Sequence, residues 1–258
     1  MWKVARDPLT VGGVFTAQML HAMYRSDLPS FEDQDPSGTF GDRDAPRLRI
    51  VFVGDSTVTA PGVDPLDDCW ARRTALDFAQ QFRVEAISVA KGGAKVEDVR
   101  ATQVDATIAV EPDLALVGVG GNDALRMTPI GRFEAAYAEI VARLDRAIPA
   151  VGVLGIGDLG TIPRLPALAR GVARVRSRAV DRAIRRVVAR HPTVPVTDAW
   201  HPYWEVFGED MALWAPDHFH GSGAAHALYA DATIPLAEKA LELSSWTPAP
   251  TGSGGSST

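Results

Sequence analysis

Cysteine is almost absent from this chain. Cys69 is the only one in 258 residues, so no intramolecular disulfide can form. A lone thiol suits a reducing compartment, and the expected location is the cytoplasm. Long apolar runs are missing too, since none approaches the roughly 18 residues of a membrane-spanning helix. Lys3 and Arg6 precede a mildly apolar Val11–Leu20, but Thr16, Gln18 and two glycines interrupt it and no small-x-small cleavage site follows, which argues against a signal peptide. There is no basic excess. The formal net charge of −6 argues against an electrostatic grip on nucleic acid, and no nucleic-acid partner is expected. What remains is a globular mixture, 46% apolar and 22% charged, with ample material for one large core.

Strands and helices alternate. Ile50–Val53 is a short continuous apolar run rich in β-branched residues and closed by Gly54, the pattern of a strand buried on both faces. Further strands are expected at Val84–Val89, Leu114–Val119, Val151–Ile156 and Val194–Thr197. Helices are expected from about Asp68 to Phe82, from the glycine pair to Val110, and over Gly131–Ala147, Ala167–Arg190 and Ser222–Leu243. This predicts an α/β fold: a five-stranded parallel sheet covered by helices on both faces. Residues 1–46 read as a helical arm around Val14–Tyr24 followed by a polar linker, residues 47–245 as the domain, and residues 246–258 as a flexible tail. The arm has two uses open to it, packing against the domain or peripheral contact with a membrane surface.

Four clusters fall where a strand ends or a helix begins: Gly54-Asp55-Ser56, Gly92-Gly93, Gly120-Gly121-Asn122-Asp123 and Asp217-His218-Phe219-His220. In an open α/β sheet the carboxyl ends of the strands are where ligands bind. Ser56 is a candidate nucleophile. It needs a base to take its proton and a carboxylate to orient that base, and His220 and Asp217, three residues apart, can supply both. Preoriented donors for an oxyanion are available from the backbone N–H groups of Ser56 and Gly93 and from the Asn122 amide. Simpler readings exist for each cluster: a strand-ending turn at Asp55-Ser56, a tight turn at Gly92-Gly93, and a helix cap at Asn122-Asp123.

In this order the four segments resemble the blocks of the SGNH (GDSL) hydrolase superfamily. G-D-S lies at Gly54–Ser56, the glycine block at Ser88–Val96, G-x-N-D at Gly120–Asp123 and D-x-x-H at Asp217–His220. The resemblance implies a flavodoxin-like three-layer sandwich with strand order 2-1-3-4-5. It also implies a serine esterase or lipase with Ser56 as nucleophile, His220 as base, Asp217 as its orienter, and Ser56, Gly93 and Asn122 as the oxyanion hole. No cofactor or metal is implied, and the expected partner is a small-molecule or lipid acyl ester. Carboxylic ester, thioester, lysophospholipid and acetylated sugar all fit. So does a non-catalytic lipid- or glycan-binding module on the same fold, because a fold does not dictate its function. Thr57-Val58 after G-D-S and Ser88 in place of a common asparagine depart from the family pattern. An α/β-hydrolase nucleophile elbow is disfavoured, because G-x-S-x-G is broken at Val58.

Other signals are less specific. Gly155-Ile156-Gly157-Asp158-Leu159-Gly160 satisfies G-x-G-x-x-G after a strand, but Pro163 and Pro166 delay the helix whose N-terminus would receive a pyrophosphate. His218, His220 and His226 lack a convincing further ligand at metal-site spacing. The helix Ala167–Arg190 is arginine-rich, with Leu168, Val172, Val175, Ala179, Ala183 and Val187 expected as its core-facing stripe. The loop Ala199–Pro216 concentrates Trp200, Tyr203, Trp204, Phe207 and Trp214 just before Asp217, either as an acyl pocket or lid or as ordinary core.

Overall fold

The computed structural model describes residues 25–248, together with Gly13, Ala17 and Gln18. Most of the expected arm helix and the tail from residue 249 onward lie outside the described residues. Five strands form one sheet: β1 (Gly38–Phe40), β2 (Arg47–Gly54), β3 (Arg83–Ser88), β4 (Leu114–Gly118) and β5 (Ala150–Val153). The helices that matter for the site are α1 (Ser56–Thr59), α2 (Trp70–Phe78) and α3, in which Val96–Asp98 continues through a π-helical Val99–Gln103 into Val104–Ala109. They are followed by α4 (Gly121–Leu125), α5 (Ile130–Ala147), α6 (Ala167–Val188) and α7 (Gly223–Leu243).

The spatial order is β1-β3-β2-β4-β5, which differs from the expected 2-1-3-4-5 at both edges. The stretch read as linker supplies β1, which pairs antiparallel with β3 through Gly38–Ala86, Thr39–Glu85 and Phe40–Val84. The expected fifth strand, Val194–Thr197, is reduced to a single parallel bridge between Val196 and Val153. The bridge rests on two bonds, Val153 N–H to the Pro195 carbonyl and Thr197 N–H to the Val153 carbonyl, both at 3.0 Å, and Pro195 has no N–H to extend the ladder. Between these edges the four parallel strands keep the relative order that the alternation predicted, with the first strand of the run, β2, at the centre.

Period-two alternation divides the apolar run of β2 between two cores. Ile50 and Phe52 join Leu114, Leu116 and Ala150 beneath α2 and α7. Val51 and Val53 join Ala115, Val117 and Val151 beneath α3, α5 and α6. Each large side chain so buried contributes about 1.5–3 kcal/mol, and the consequence for the site is that β2 is anchored from both faces up to its last residue. On α6 the expected stripe holds at Ala183 and Val187 but is rotated over the N-terminal half. Ala169, Ala173, Val180, Ala183, Ile184 and Val187 face inward, whereas Leu168 and Val175 are exposed. Small residues on the inward row let the helix approach closely. Several of its arginines are held locally: Arg174 by Asp158, Arg185 by Asp181 and Arg186 by Glu134. At the other end of the chain Trp246, expected to open the tail, lies edge-on against Phe82 with ring centroids 5.6 Å apart.

Candidate active site

The sheet brings the first cluster to the end of its central strand. Gly54 pairs with Gly118 of β4, and a Cβ on it would lie 2.1 Å from the Gly118 carbonyl oxygen, so only glycine fits where the chain leaves the sheet. Its backbone is clamped by Gln103: Gly54 N–H donates to Gln103 Oε1 at 2.8 Å, and Gln103 Nε2 donates to the Gly54 carbonyl at 2.9 Å. Gln103 comes from the π-helical turn of α3, a type of distortion that recurs at functional sites. Asp55 then caps α1 by accepting from Thr57 N–H at 3.0 Å. This places Ser56 first in the helix, where its N–H has no intrahelical acceptor.

Asp217 organises the histidine turn with both of its oxygens. Oδ1 accepts from the backbone N–H groups of Phe219 (2.9 Å) and His220 (3.0 Å), and Oδ2 holds His220 Nδ1 at 2.6 Å. The turn is possible because His218 adopts a left-handed φ of 58°. Burial alone would raise the Asp217 pKa; the hydrogen bonds from His220 and Phe219 outweigh it and hold the carboxyl below its ordinary value. Nδ1 bound to a carboxylate carries the proton, which leaves Nε2 of the neutral ring as an acceptor.

Asn122 lies in α4, directly after β4. Its amide donates one hydrogen bond to Asp55 Oδ2 at 3.2 Å, which fixes the amide plane and leaves a second N–H. Burial pushes the Asp55 carboxyl above the ordinary range despite the bonds from Thr57 and Asn122. Neighbouring Asp123 is fully buried and accepts from Val96 N–H at 2.8 Å, tying α4 to the start of α3.

Ser56, Asn122 and His220 line one cavity of about 120 Å³, with Asp217 behind His220. Gly93 is not part of that lining. It has a left-handed φ of 74° beside the Arg126 guanidinium, on a loop joined to the strand end by Lys91 N–H to the Gly54 carbonyl at 3.2 Å. A second cavity of about 170 Å³ shares Thr57, Gly121, Leu159, Trp214 and Tyr229 with the first and extends to Leu154, Ile156 and Ala232. From the aromatic loop, Phe207 and Trp214 help to line it, and Phe207 stacks on Tyr229 at 5.6 Å. Trp200 instead lies under Arg178 at 4.8 Å. The glycine motif after β5 serves close packing: a Cβ on Gly155 would meet Asp181 Oδ1 at 2.7 Å, and one on Gly160 would meet the Arg170 carbonyl at 2.6 Å.

Three contributors carry no local sequence signal. Gln103 is one. Asp33, from the stretch read as linker, accepts from Thr59 Oγ1 at 2.7 Å and from Gly92 N–H at 2.8 Å, joining α1 to the glycine loop. His226 is the third: it is buried and lines the Ser56 cavity.

Fold and cavity together define a three-layer α/β protein of the hydrolase type. The chain belongs to the GDSL-like Lipase/Acylhydrolase family, whose model matches residues 52–228. The resemblance read from the four sequence blocks is thereby borne out. The GDSL-like esterase Rv1075c of Mycobacterium tuberculosis is 32% identical over 191 residues, covering 71% of this chain and 60% of that protein. The chain therefore spans about three-fifths of that relative's length. Among the solved structures that share the fold are two esterases. The psychrotrophic esterase EstA from Pseudoalteromonas sp. aligns with a TM-score of 0.59 at 18% identity, covering 75% of this chain and 98% of that one. The acetylxylan esterase Axe2 from Geobacillus stearothermophilus aligns with a TM-score of 0.60 at 17% identity, covering 75% and 95%.

Proposed function

We propose that this chain hydrolyses carboxylic esters through an acyl-enzyme on Ser56. One observation carries the reading: His220, locked to Asp217 at 2.6 Å, stands on the wall of the same cavity as Ser56 and Asn122. Ser56 Oγ attacks the acyl carbon while His220 Nε2 takes its proton, and Asp217 stabilises the resulting imidazolium. The oxyanion is received by the Ser56 N–H and the free N–H of Asn122, while the Gly93 loop, which does not line the cavity, braces the strand end through Lys91. Collapse expels the alcohol, which His220 protonates, and water repeats the sequence to release the acid. The apolar second cavity supports a hydrocarbon acyl group. In this reading the substrate is a small-molecule or lipid acyl ester, turned over in the cytoplasm without a cofactor.

The test is fluorophosphonate labelling of wild type beside Ser56→Ala, followed by turnover of a simple ester. The expected result is loss of labelling and a fall in turnover on the order of 10⁴ to 10⁶. Equal labelling of the variant would overturn the assignment.

A further inference from the structure

His226 sits six residues beyond His220, in the first turns of α7, and is 2% exposed. Its Nδ1 accepts the backbone N–H of Trp70 at 3.2 Å. That N–H belongs to the first residue of α2, where no intrahelical acceptor exists, so the imidazole completes the helix start. A backbone N–H can only donate. Nδ1 is therefore unprotonated, and the neutral ring carries its proton on Nε2. Burial keeps the ring neutral, pushing its pKa down to about 3. The ring also meets Tyr229 edge to face with centroids 5.3 Å apart, which holds its plane.

With Nδ1 turned toward α2, the opposite edge of the ring, which bears Nε2–H, is the one available to the Ser56 cavity that His226 lines. No group among the described residues accepts from it. A neutral donor, nine-tenths buried and fixed in one tautomer, is a ready partner for a substrate oxygen. Its location indicates which one. The apolar second cavity shares walls with the Ser56 cavity through Gly121, Leu159, Trp214 and Tyr229, but His226 does not line it. Hydrocarbon belongs there. His226 instead neighbours His220, whose free nitrogen serves the departing alcohol.

Building on the ester-hydrolase reading, we propose that His226 Nε2–H recognises an oxygen of the alcohol portion, and that the substrates are esters of hydroxylated alcohols. The experiment compares glycerol monobutyrate with propyl butyrate, two butyrates of three-carbon alcohols with and without further hydroxyls. Wild type should favour the glycerol ester about tenfold in kcat/KM, the equivalent of one hydrogen bond. Asparagine places an acceptor near the Nδ1 position but nothing at Nε2, so His226→Asn should bring the ratio close to one. His226→Gln places a donor near Nε2 and gives up the Trp70 contact; it should melt lower yet keep the preference. A ratio near one in wild type, a ratio unchanged in His226→Asn, or a ratio lost in a folded His226→Gln would each overturn the proposal. Failure of the underlying reading looks different: wild type would neither react with a fluorophosphonate at Ser56 nor hydrolyse either ester.

Discussion

Replacing Gln103 with leucine tests whether the clamp on Gly54 holds the end of the central strand. Gln103 is 3% exposed and makes two hydrogen bonds to the backbone of one residue. Leucine has nearly the same size and fills the same volume, so the change is in polarity and not in packing. The two broken bonds are unequal. The Gly54 carbonyl keeps Lys91 N–H at 3.2 Å, and losing its second donor costs about 0.5–1.5 kcal/mol. The Gly54 N–H loses its hydrogen-bond partner in a buried position, at about 1–3 kcal/mol. The sum is about 1.5–4.5 kcal/mol. For a domain of this size each kcal/mol lowers Tm by about 2–4 °C, so Gln103→Leu should melt roughly 3–18 °C below wild type in a calorimetric scan. Ser56 lies two residues beyond the clamp, and kcat measured well below the transition should fall severalfold with KM little changed. A variant that melts within about 2 °C of wild type would refute the reasoning.

The histidine turn gives a second test. His220→Ala should lose at least about 10³-fold in kcat, as triad deletions do, while His218→Ala should stay within about tenfold with little change in stability, because histidine already carries a Cβ at the left-handed φ of that position. Steady-state kinetics on both variants decide it, and a dead His218→Ala beside an active His220→Ala would reverse the assignment. A third prediction concerns acid stability. An unfolded histidine titrates near 6.5, roughly, and buried His226 only at about 3. Between those values the unfolded chain binds a proton that the native state refuses, so stability falls as pH falls, by about 1.4 kcal/mol per unit. His226→Asn lacks this contribution. Urea unfolding from pH 6.5 to 4.5, roughly the upper half of that window, should show a shallower decline in the variant, and parallel declines would sink the argument.

The sequence was most legible where one chemical requirement governs several neighbouring residues. Ile50–Val53 had to be a two-faced strand because every residue in it is apolar, and Asp217 had to reach His220 because three residues make one turn. Local spacing was blind to contacts made across long separations. Nothing near Gln103 marks it as the partner of a peptide 49 residues earlier, since a lone glutamine in a helix is ordinarily a surface residue. Asp33 lay in a polar, proline-bearing stretch whose composition matches that of a linker, and its partners are set only by tertiary packing. Pro195 did carry a signal: a proline inside a four-residue strand pattern argues for an edge or for no strand. The N-terminal half of the α6 stripe was misjudged by about one position, while Ala183 and Val187 fell where expected, because the rows Leu168–Val175 and Ala169–Ala173 both have helical spacing and close approach favoured the smaller residues. His226 carried too little information to separate a packed ring from a ring with one edge on a cavity.

The short strand β1 bears on how this domain is to be handled as a reagent. The family match begins at residue 52, and the first parallel strand at Arg47 invites trimming the chain there. Such a cut would strip β1 from the sheet and leave β3 as an open rim of unpaired N–H and C=O groups, a template on which a second molecule can add its own strand. It would also take away Gln34, whose side chain bonds the carbonyls of Ala60 and Val63 at 2.7 and 3.0 Å just beyond the nucleophile helix. The smallest self-contained piece thus begins ahead of Asp33, and material shortened to residue 47 would be prone to edge-to-edge clumping before its chemistry could be assayed.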